Sequence, residues 1–372
     1  MNYYIIAGEA SGDLHGSNLI HALKERDPTA NIRCWGGDLM KRAGGELVKH
    51  YRDLAFMGFW EVLVNLPTII KNLRFCEKDL LASKPDVLIL IDYPGFNLRI
   101  ARFAKRHGIT VFYYISPQLW AWKSSRVRVI KECVSRMFVI LPFEQEFYLK
   151  YDYPVDFVGH PLLDAIPENR VTGDRSLFVR RNKLTEKPII ALLPGSRKQE
   201  IRTMLRRMLE VTPSFDGYQF VVAGAPSVDP AFYDPITGDI PVTVIFDQTY
   251  DLLRYAEAAL VTSGTATLEA ALLGTPEVVC YRGSSLSFWI ARRIVHVPFI
   301  SLVNLIMERE VVKELIQHQL TSENIIHELD RLLDTATRTL MKQEFDELTL
   351  KLGGSGASAR TARLMIQYLK DK

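Results

Sequence analysis

The 372-residue sequence lacks the patterns typical of disulfide-rich, zinc-binding, secreted and membrane-spanning proteins. Its four cysteines are scattered, with no Cys-x-x-Cys pair and no Cys/His spacing typical of zinc sites. We therefore expect reduced thiols, as in a cytosolic protein. No stretch reaches the roughly 18 apolar residues of a membrane span, and the N-terminus lacks the basic lead of a signal peptide. The sequence predicts a cytoplasmic protein that does not cross a membrane.

An excess of charge of one sign and metal-binding carboxylate pairs are also missing. Lys and Arg number 46 against 43 Asp and Glu, so the net charge of +3 is too small to indicate a nucleic-acid partner. The chain contains no Asp-x-Asp pair, and no His/carboxylate cluster has the spacing of metal ligands. We expect neither a metal site nor a cofactor.

The chain does contain a regular alternation of short apolar runs with helix-like stretches. We predict strands at 3–7, 87–91, 110–115, 137–141 and 155–158, and a second series at 189–193, 219–223, 242–246, 259–261 and 278–281. Runs such as 87–91 are apolar on both faces, which fits a parallel sheet covered by helices on each side. The alternation predicts βαβ units and therefore doubly wound, Rossmann-like α/β domains.

A polar, charged segment at 164–187 lacks apolar periodicity and marks the best domain boundary. The second half then restarts with its own strand–loop–helix unit. We predict two similar domains facing each other across a cleft, at 1–165 and 185–350. A glycine-rich break at 353–356 precedes the last helical stretch, and we expect the segment 355–372 to pack back on the first domain.

The segment 8–13 (Gly-Glu-Ala-Ser-Gly-Asp) follows the first predicted strand and precedes a helix expected to begin near Leu14. Ligands of doubly wound sheets bind at the carboxyl ends of strands, where helix N-termini attract anions. Gly8, Glu9 and Ser11 are therefore candidates for a ligand site. The alternative is a helix cap formed by Ser11 or Asp13.

Asp92 follows the predicted strand 87–91 directly. A carboxylate at the mouth of a buried strand is placed to accept a proton from a substrate hydroxyl. An N-cap for the next helix is an equally good explanation of the same residue type.

Two segments of the second half have residue types that bind phosphates. Gly195, Ser196 and Arg197 follow the strand at 189–193; the first two can offer backbone and hydroxyl donors, and the arginine can hold a phosphate bidentately. The alternative is an ordinary turn before a basic helix.

The second of these segments follows the strand at 259–261 and contains Ser263, Gly264, Thr265, Ala266, Thr267 and Glu269. Small residues at a helix start leave amide groups open to a diphosphate, and Glu269 could accept hydrogen bonds from a vicinal diol such as ribose. A capped helix with a glutamate in its first turn is the alternative. If a diphosphate leaves here, Arg197 and helix dipoles must stabilise it.

An apolar stretch at 54–67 is followed by basic Lys71 and Arg74. Such an element suits contact with acyl chains or with an anionic membrane surface, although a core-packing helix would show the same apolar residues. Its candidate contact residues are Phe56, Met57, Phe59, Trp60 and Leu63.

Together these segments resemble the bacterial lipid-A-disaccharide synthases. The matching pieces run in family order over residues 3–318 and lie at 8–13, 57–63, 84–88, 92–97, 115–122, 141–144, 158–161, 192–197, 262–269, 281–282 and 301–305. The segment 8–13 and the Trp-Ala-Trp at 120–122 are the most specific.

The resemblance implies a GT-B-type fold and an inverting, metal-independent transfer from UDP-2,3-diacylglucosamine to 2,3-diacylglucosamine 1-phosphate. The products would be a tetraacyl disaccharide phosphate and UDP. Asp92 matches the family's candidate general base on the acceptor 6-hydroxyl. Arg197, the 263–269 segment and Asn304 fall where the UDP portion binds, and Glu9 and Ser11 fall on the opposing wall of the cleft.

Acylated substrates also give the 54–67 stretch a purpose, so we predict acyl or inner-membrane contact by a peripherally associated protein. The sequence leaves open whether the chain forms a homodimer. Two other functions remain in view. A UDP-sugar 2-epimerase shares the architecture but would need further acid/base residues around the sugar, and a non-catalytic nucleotide-sugar or lipid-binding protein would need no base.

Overall fold

The structure is a computed structural model and describes residues 1–53, 66–122, 126–166, 174–283 and 297–371. The chain divides into two compact units. The first unit consists of Met1–Ala165 together with Leu352–Lys372, and the second unit of Ile166–Lys351.

The first unit is built on a seven-stranded parallel sheet. Its strands are β1 (Asn2–Ala7), β2 (Asn31–Gly36), β3 (Glu46–His50), β4 (Val87–Ile91), β5 (Thr110–Tyr114), β6 (Arg136–Val139) and β7 (Asp156–Phe157). They lie in the order β3-β2-β1-β4-β5-β6-β7. The helices are α1 (Ala10–Arg26), α2 (Asp38–Arg42), α3 (Leu66–Ser83), α4 (Pro94–Arg106), α5 (Leu119–Trp122), α6 (Val127–Cys133), α7 (Glu144–Leu149) and α8 (Leu162–Ala165).

The second unit has a six-stranded parallel sheet. Its strands are β8 (Ile189–Leu193), β9 (Gln219–Gly224), β10 (Val242–Phe246), β11 (Ala256–Thr262), β12 (Glu277–Tyr281) and β13 (Lys313–Ile316), in the order β10-β9-β8-β11-β12-β13. The helices are α9 (Arg175–Arg181), α10 (Lys198–Leu209), α11 (Asp234–Thr237), α12 (Thr249–Tyr255), α13 (Thr265–Leu272), α14 (Leu302–Met307), α15 (Ser322–Leu333) and α16 (Thr335–Lys351).

Central strands of both sheets are buried along their whole length, as the apolar runs predict. Every residue of β4 and of β8 is buried, and neighbouring strands pair in parallel throughout. A strand that is apolar on both faces is stable only when helices cover both faces. The expectation of two doubly wound parallel α/β sheets is confirmed.

Three strands, β2, β3 and β13, were not predicted because charged side chains interrupt their apolar pattern. In β2, the Arg33 guanidinium binds Asp79 of α3, with 2.7 Å between Nη2 and Oδ1, and also pairs with Glu46 of β3. In β13, Glu314 accepts hydrogen bonds from the backbone amides of Ile300 and Ser301. These polar contacts accommodate the charged side chains within the sheet, so the strands form without the apolar pattern by which strands are predicted.

The segment predicted as the domain boundary, 164–187, contains a helix. Helix α9 begins after Asp174, whose side chain accepts a hydrogen bond from the Ser176 amide at 2.8 Å. Phe178 and Val179 of this helix are buried, and Phe178 packs in one of the second unit's apolar clusters. This part of the segment therefore belongs to the second unit.

The chain returns to the first unit through its last helix, α17 (Ala357–Lys370). The Asp164 carboxylate accepts hydrogen bonds from the backbone amides at the start of this helix, at 2.6 Å from Gly356 and 2.8 Å from Ser358. Arg360 donates to the Val158 carbonyl at 2.8 Å. An acidic group at a helix N-terminus satisfies amides that have no partner within the helix. These contacts fasten the helix to the first unit.

Glu277, the first residue of β12, is fully buried, and neither carboxyl oxygen has a hydrogen-bond partner among the described residues. Burial raises the pKa of Glu277 well above its usual value. The folded state therefore keeps a proton that the unfolded chain loses above about pH 4.3. Wild-type stability should fall as pH rises, by at most about 1.4 kcal/mol per pH unit. The difference in unfolding free energy between Glu277→Gln and wild type should therefore grow in favour of the variant by up to the same amount for each pH unit. Chemical denaturation between pH 5 and 8 measures this difference.

The same charge change at the exposed Glu25, Glu25→Gln, serves as the control and should give no such gain. A Glu277→Gln difference that is constant across this pH range would mean that the carboxylate is ionised and paired in the folded protein.

Candidate functional site

Two of the predicted motifs meet where the strand order of the first sheet reverses. Strands β1 and β4 are neighbours, with Ala7 paired to Ile91. Gly8 follows β1 and Asp92 follows β4, so both lie at the carboxyl edge of the switch point, where doubly wound sheets bind ligands. Gly8 has no room for a side chain because a Cβ there would overlap the Tyr93 ring.

Helix α1 begins at Ala10, earlier than the predicted start near Leu14. Glu9 is the residue before the helix, in extended conformation, and Ser11 lies exposed in its first turn. Neither of the proposed capping residues caps this helix. Asp13 instead accepts hydrogen bonds from backbone amides at the start of α2, including that of Gly37 at 2.7 Å. Asp13 is structural, and Glu9 and Ser11 remain as the accessible polar groups of the motif.

The backbone of Asp92 has an unusual conformation that its neighbours enforce. Asp92 and Tyr93 both have positive φ, at 42° and 47°, a region that non-glycine residues rarely adopt. The Asp92 carbonyl accepts two hydrogen bonds, from Asn97 Nδ2 at 2.7 Å and from the Tyr113 hydroxyl at 2.5 Å. Its amide donates to the Tyr114 carbonyl at 3.2 Å. Such strain persists only where the surroundings fix it, which is common at functional sites.

The Asp92 carboxyl has an altered acidity that suits proton transfer. Burial, and then the charge of Glu9, raise the pKa of Asp92 to about 6, although a hydrogen bond from the Tyr93 backbone acts in the opposite direction. Asp92 is therefore ionised at neutral pH and is more basic than an ordinary aspartate. A base whose pKa lies near the working pH is the kind that catalyses proton removal well.

The second sheet repeats this arrangement at its own switch point. Strands β8 and β11 are neighbours, with Leu193 paired to Val261. The segment 195–197 follows β8, and the segment 263–269 follows β11. The structure therefore brings the two predicted phosphate-binding segments together at one sheet edge.

The Glu200 side chain occupies the space beside the backbone of the first of these segments, 195–197. Gly195 has φ of 108°, and a Cβ there would overlap the Glu200 carboxylate. The Ser196 amide donates to Glu200 Oε2 at 3.0 Å, so this amide, which the sequence assigned to a ligand, already has a partner. Arg197 is exposed at the N-terminus of α10.

The start of α13 is open. Gly264 has φ of 156°, and a Cβ there would meet nothing within 4 Å. Gly264 and Thr265 are exposed and Ala266 is half-buried, so their amides are accessible. The hydroxyl groups of Ser263 and Thr267 form hydrogen bonds within the protein. Ser263 Oγ donates to the Ile300 carbonyl at 3.1 Å, and Thr267 Oγ1 donates to the Gly264 carbonyl at 2.9 Å.

Glu269 projects from the second turn of α13 and is half-buried. Its Oε1 accepts a hydrogen bond from the Tyr250 hydroxyl at 3.2 Å. Burial raises the pKa of Glu269, and the Tyr250 hydrogen bond partly offsets this. The second oxygen of the carboxylate is the group that could accept a further hydrogen bond from a ligand.

Comparisons with known proteins decide between the functions that this geometry allows. A family model described as lipid-A-disaccharide synthetase matches residues 3–367. The lipid-A-disaccharide synthase of Trichlorobacter lovleyi is 40% identical, over 99% of this chain and 97% of its own. That of Syntrophus aciditrophicus is 42% identical, over 98% and 97%. The chain belongs to the lipid-A-disaccharide synthase family. It is therefore an enzyme, a glycosyltransferase of lipid A biosynthesis, as the sequence motifs indicated.

Solved structures confirm the fold class. The UDP-GlcNAc 2-epimerase of Neisseria meningitidis, bound to UDP-GlcNAc, gives a TM-score of 0.63 at 14% identity and covers 100% of both chains. The calicheamicin glycosyltransferase gives 0.60 at 19% identity, over 99% of this chain and 98% of its own. Both have the GT-B-type α/β fold. Epimerases and transferases share it, so the sequence family, not the fold, separates the two.

The family resemblance places Asn304 at the UDP site, but its side chain is not accessible to a ligand. It is fully buried. Its amide oxygen accepts from the amides of Val311 and Val312, and its amide nitrogen donates to the Val312 carbonyl and to Glu314. All four hydrogen bonds of the side chain are used. Any influence of Asn304 on a nucleotide must act through the position of α14 and its neighbours.

Several residues that shape the site were not identified from the sequence. Tyr113 supports Asp92, Glu200 binds the Ser196 amide, and Tyr250 binds Glu269. Asn97, which also supports Asp92, lies inside the 92–97 motif. Among these four residues, it alone could have been suspected from its position in the sequence. The others act from elements that only the folded sheet brings near.

Part of the predicted acyl-contact surface lies outside the described residues. This holds for Phe56, Met57, Phe59, Trp60 and Leu63. Lys71 and Arg74 lie exposed on α3, near the exposed side chains of Ile70 and Phe75, which are 40% and 46% accessible. No helix in the described ranges is both long and apolar enough to pass through a bilayer. In the same ranges, no group of three or more His, Cys, Asp or Glu side chains could hold a metal.

Proposed function

We propose that this synthase joins UDP-2,3-diacylglucosamine to 2,3-diacylglucosamine 1-phosphate and releases UDP. The family implies a UDP-sugar donor and an acylated glucosamine phosphate acceptor. The observation that carries the proposal is Asp92, a carboxylate at the switch point whose pKa is raised to about 6 and whose backbone is fixed. A transferase that activates a sugar hydroxyl needs such a base.

In the proposed reaction, Asp92 takes the proton of the acceptor 6-hydroxyl as that oxygen attacks the anomeric carbon of the donor. The bond between that carbon and the diphosphate oxygen breaks, and its electron pair leaves with UDP. Attack opposite to the leaving group inverts the configuration, giving a β-1′,6 linkage from an α-linked donor.

The second unit would bind the nucleotide and stabilise the leaving group. The accessible amides at the start of α13 and the Arg197 guanidinium are suited to a diphosphate, and Glu269 to the ribose hydroxyls. Because these groups can neutralise the charge on the departing UDP, the transfer needs no metal in this proposal. Glu200 must leave the Ser196 amide if that amide also binds phosphate.

Incubation of the protein with the two acylated substrates tests this function. Mass analysis should find the tetraacyl disaccharide phosphate and UDP in equal amounts, and NMR of the product should show the β anomer. Turnover should persist in EDTA. A donor converted to its 2-epimer would replace the transferase by the epimerase, and loss of turnover in EDTA, restored by a divalent cation, would refute metal independence.

We also propose that the enzyme works at the inner-membrane surface, since both substrates carry acyl chains. Lys71 and Arg74 are exposed beside exposed apolar side chains on α3. Basic residues near an anionic surface contribute about 1 kcal/mol each, so Lys71→Glu/Arg74→Glu should weaken binding to phosphatidylglycerol vesicles at least about tenfold. Co-sedimentation measures this.

The matched control is Lys41→Glu/Arg42→Glu, the same charge reversal at exposed positions of α2. Equal loss of vesicle binding in both double variants would mean that total charge matters rather than this surface, and no loss in either would remove the membrane contact from α3.

A further inference from the structure

A pocket lined by arginines lies next to the Asp92 turn. It has a volume of about 170 Å³ and is lined by Pro94, Gly95, Leu98, Arg99, Arg102, Arg126 and Val129. Three of these residues are arginines and none is acidic. Neither the predicted base nor the predicted nucleotide site uses them, so the function described above leaves this pocket without a role.

Two of the three arginines, Arg99 and Arg102, form no ion pair among the described residues. Arg99 and Arg102 are exposed, and they lie three residues apart on α4, which places both on one face of the helix. Within the described residues, neither has a carboxylate oxygen within the 4 Å of an ion pair, whereas Arg128 close by pairs with Glu132 at 2.8 Å. An uncompensated pair of guanidinium groups in a concave site attracts an anion.

The remaining walls suit a phosphate group. Gly95 stands at the N-terminus of the 13-residue helix α4, and a Cβ there would meet nothing within 4 Å, so the backbone is open to a ligand. Guanidinium groups bind phosphate oxygens through paired hydrogen bonds. Leu98 and Val129 supply an apolar border, against which the carbon atoms of a larger ligand could rest.

The pocket also lies close to the reacting atoms of the proposed transfer. Gly95 is three residues from Asp92, so their Cα atoms are at most about 11 Å apart. Burial and the Asp92 charge raise the pKa of the Tyr113 hydroxyl, whereas the charge of Arg126 acts in the opposite direction. Arg126 is therefore within electrostatic reach of the tyrosine that supports Asp92.

We propose that this pocket binds the phosphate monoester of the sugar acceptor. The inference rests on the proposed function and adds the acceptor's second anchoring point. The acceptor has its reacting hydroxyl on C6, which is attached to C5, and its phosphate on C1, and C1 and C5 both bond the ring oxygen, so the two groups lie only a few ångströms apart. A phosphate held by Arg99, Arg102 and Arg126 would direct that hydroxyl towards Asp92 and would make the enzyme select phosphorylated acceptors.

The double variant Arg99→Gln/Arg102→Gln tests this, because both residues are exposed and their replacement should leave the fold intact. Two charge-assisted hydrogen bonds are lost, so the KM for the phosphorylated acceptor should rise by about tenfold or more, with the KM for the UDP-sugar unchanged. With 2,3-diacylglucosamine lacking the phosphate, wild type and variant should behave alike. Lys105→Gln, a charge removal on the same helix outside the pocket, should match wild type throughout.

An unchanged preference for the phosphorylated acceptor overturns the proposal. A rise in the KM for the UDP-sugar instead assigns the pocket to the donor, and a loss of phosphatidylglycerol-vesicle binding with normal KM in detergent assigns it to lipid headgroups. Calorimetric titration of glucosamine 1-phosphate separates this inference from the transfer itself. If wild type forms no disaccharide yet binds this probe and the double variant does not, the pocket stands and the proposed reaction fails.

Discussion

Asp92→Asn is expected to lower kcat by about a thousandfold while UDP binding stays at its wild-type level. General bases contribute roughly 10²- to 10⁴-fold to catalysis, and asparagine keeps the shape of aspartate but cannot accept the proton. The groups proposed to bind UDP lie in the second unit, so calorimetric titration with UDP should show an unchanged Kd. Asp216→Asn, at an exposed position of the second unit, is the control for loss of a carboxylate. Full turnover by Asp92→Asn would exclude Asp92 as the base.

The pH profile adds a second test of the same group. The active form of a base is deprotonated, so kcat/KM should fall as pH drops below about 6, the value to which burial and the Glu9 charge raise the pKa of Asp92. Removing the neighbouring charge in Glu9→Gln favours ionised Asp92 and should move this acid limb to lower pH. A limb that stays in place would mean that another group controls the profile.

Asp13→Ala is expected to destabilise the first unit by about 3 kcal/mol, because it leaves buried backbone amides without acceptors. Asp13 is 4% exposed, and its carboxylate binds the amides of Gly37, Leu39 and Met40 at 2.7, 3.1 and 3.0 Å. Chemical denaturation followed by circular dichroism measures the loss. Asp13→Asn, which keeps one acceptor oxygen, should fall between wild type and Asp13→Ala.

Asp38→Ala provides the control, since this exposed residue also lies in the first turn of α2 but contributes no carboxylate to those amides. It should cost less than about 1 kcal/mol. If Asp13→Ala were no more harmful than Asp38→Ala, water would have to satisfy the three amides, and the hydrogen bonds of Asp13 would not contribute to the stability of the first unit.

The sequence predicted those parts of the fold in which local pattern and burial agree. Strands such as 87–91 and 189–193 are apolar on both faces and could only be central strands of a covered sheet. Strand β2 was missed because Arg33 interrupts its pattern, and the Asp79 that neutralises it is 46 residues away. An ion pair between distant residues leaves no periodic signal in either segment.

Prediction of the site was limited in the same way. The sequence could place Asp92 at the mouth of a strand, but not show that Tyr113 and Asn97 fix its backbone or that Glu9 raises its pKa. It could likewise propose the Ser196 amide as a phosphate donor, but not that Glu200 already accepts from it. Residue type and spacing give the candidates, whereas pKa and free hydrogen-bonding capacity depend on neighbours that only folding supplies.

The attachment of α17 to Asp164 and Val158 limits when the first unit can complete its folding during synthesis. Domains generally fold as they emerge during synthesis, starting from the N-terminus. Here the helix that completes the N-terminal unit is translated after every residue of the other unit. The unit that emerges first therefore stays incomplete until α17 has been translated.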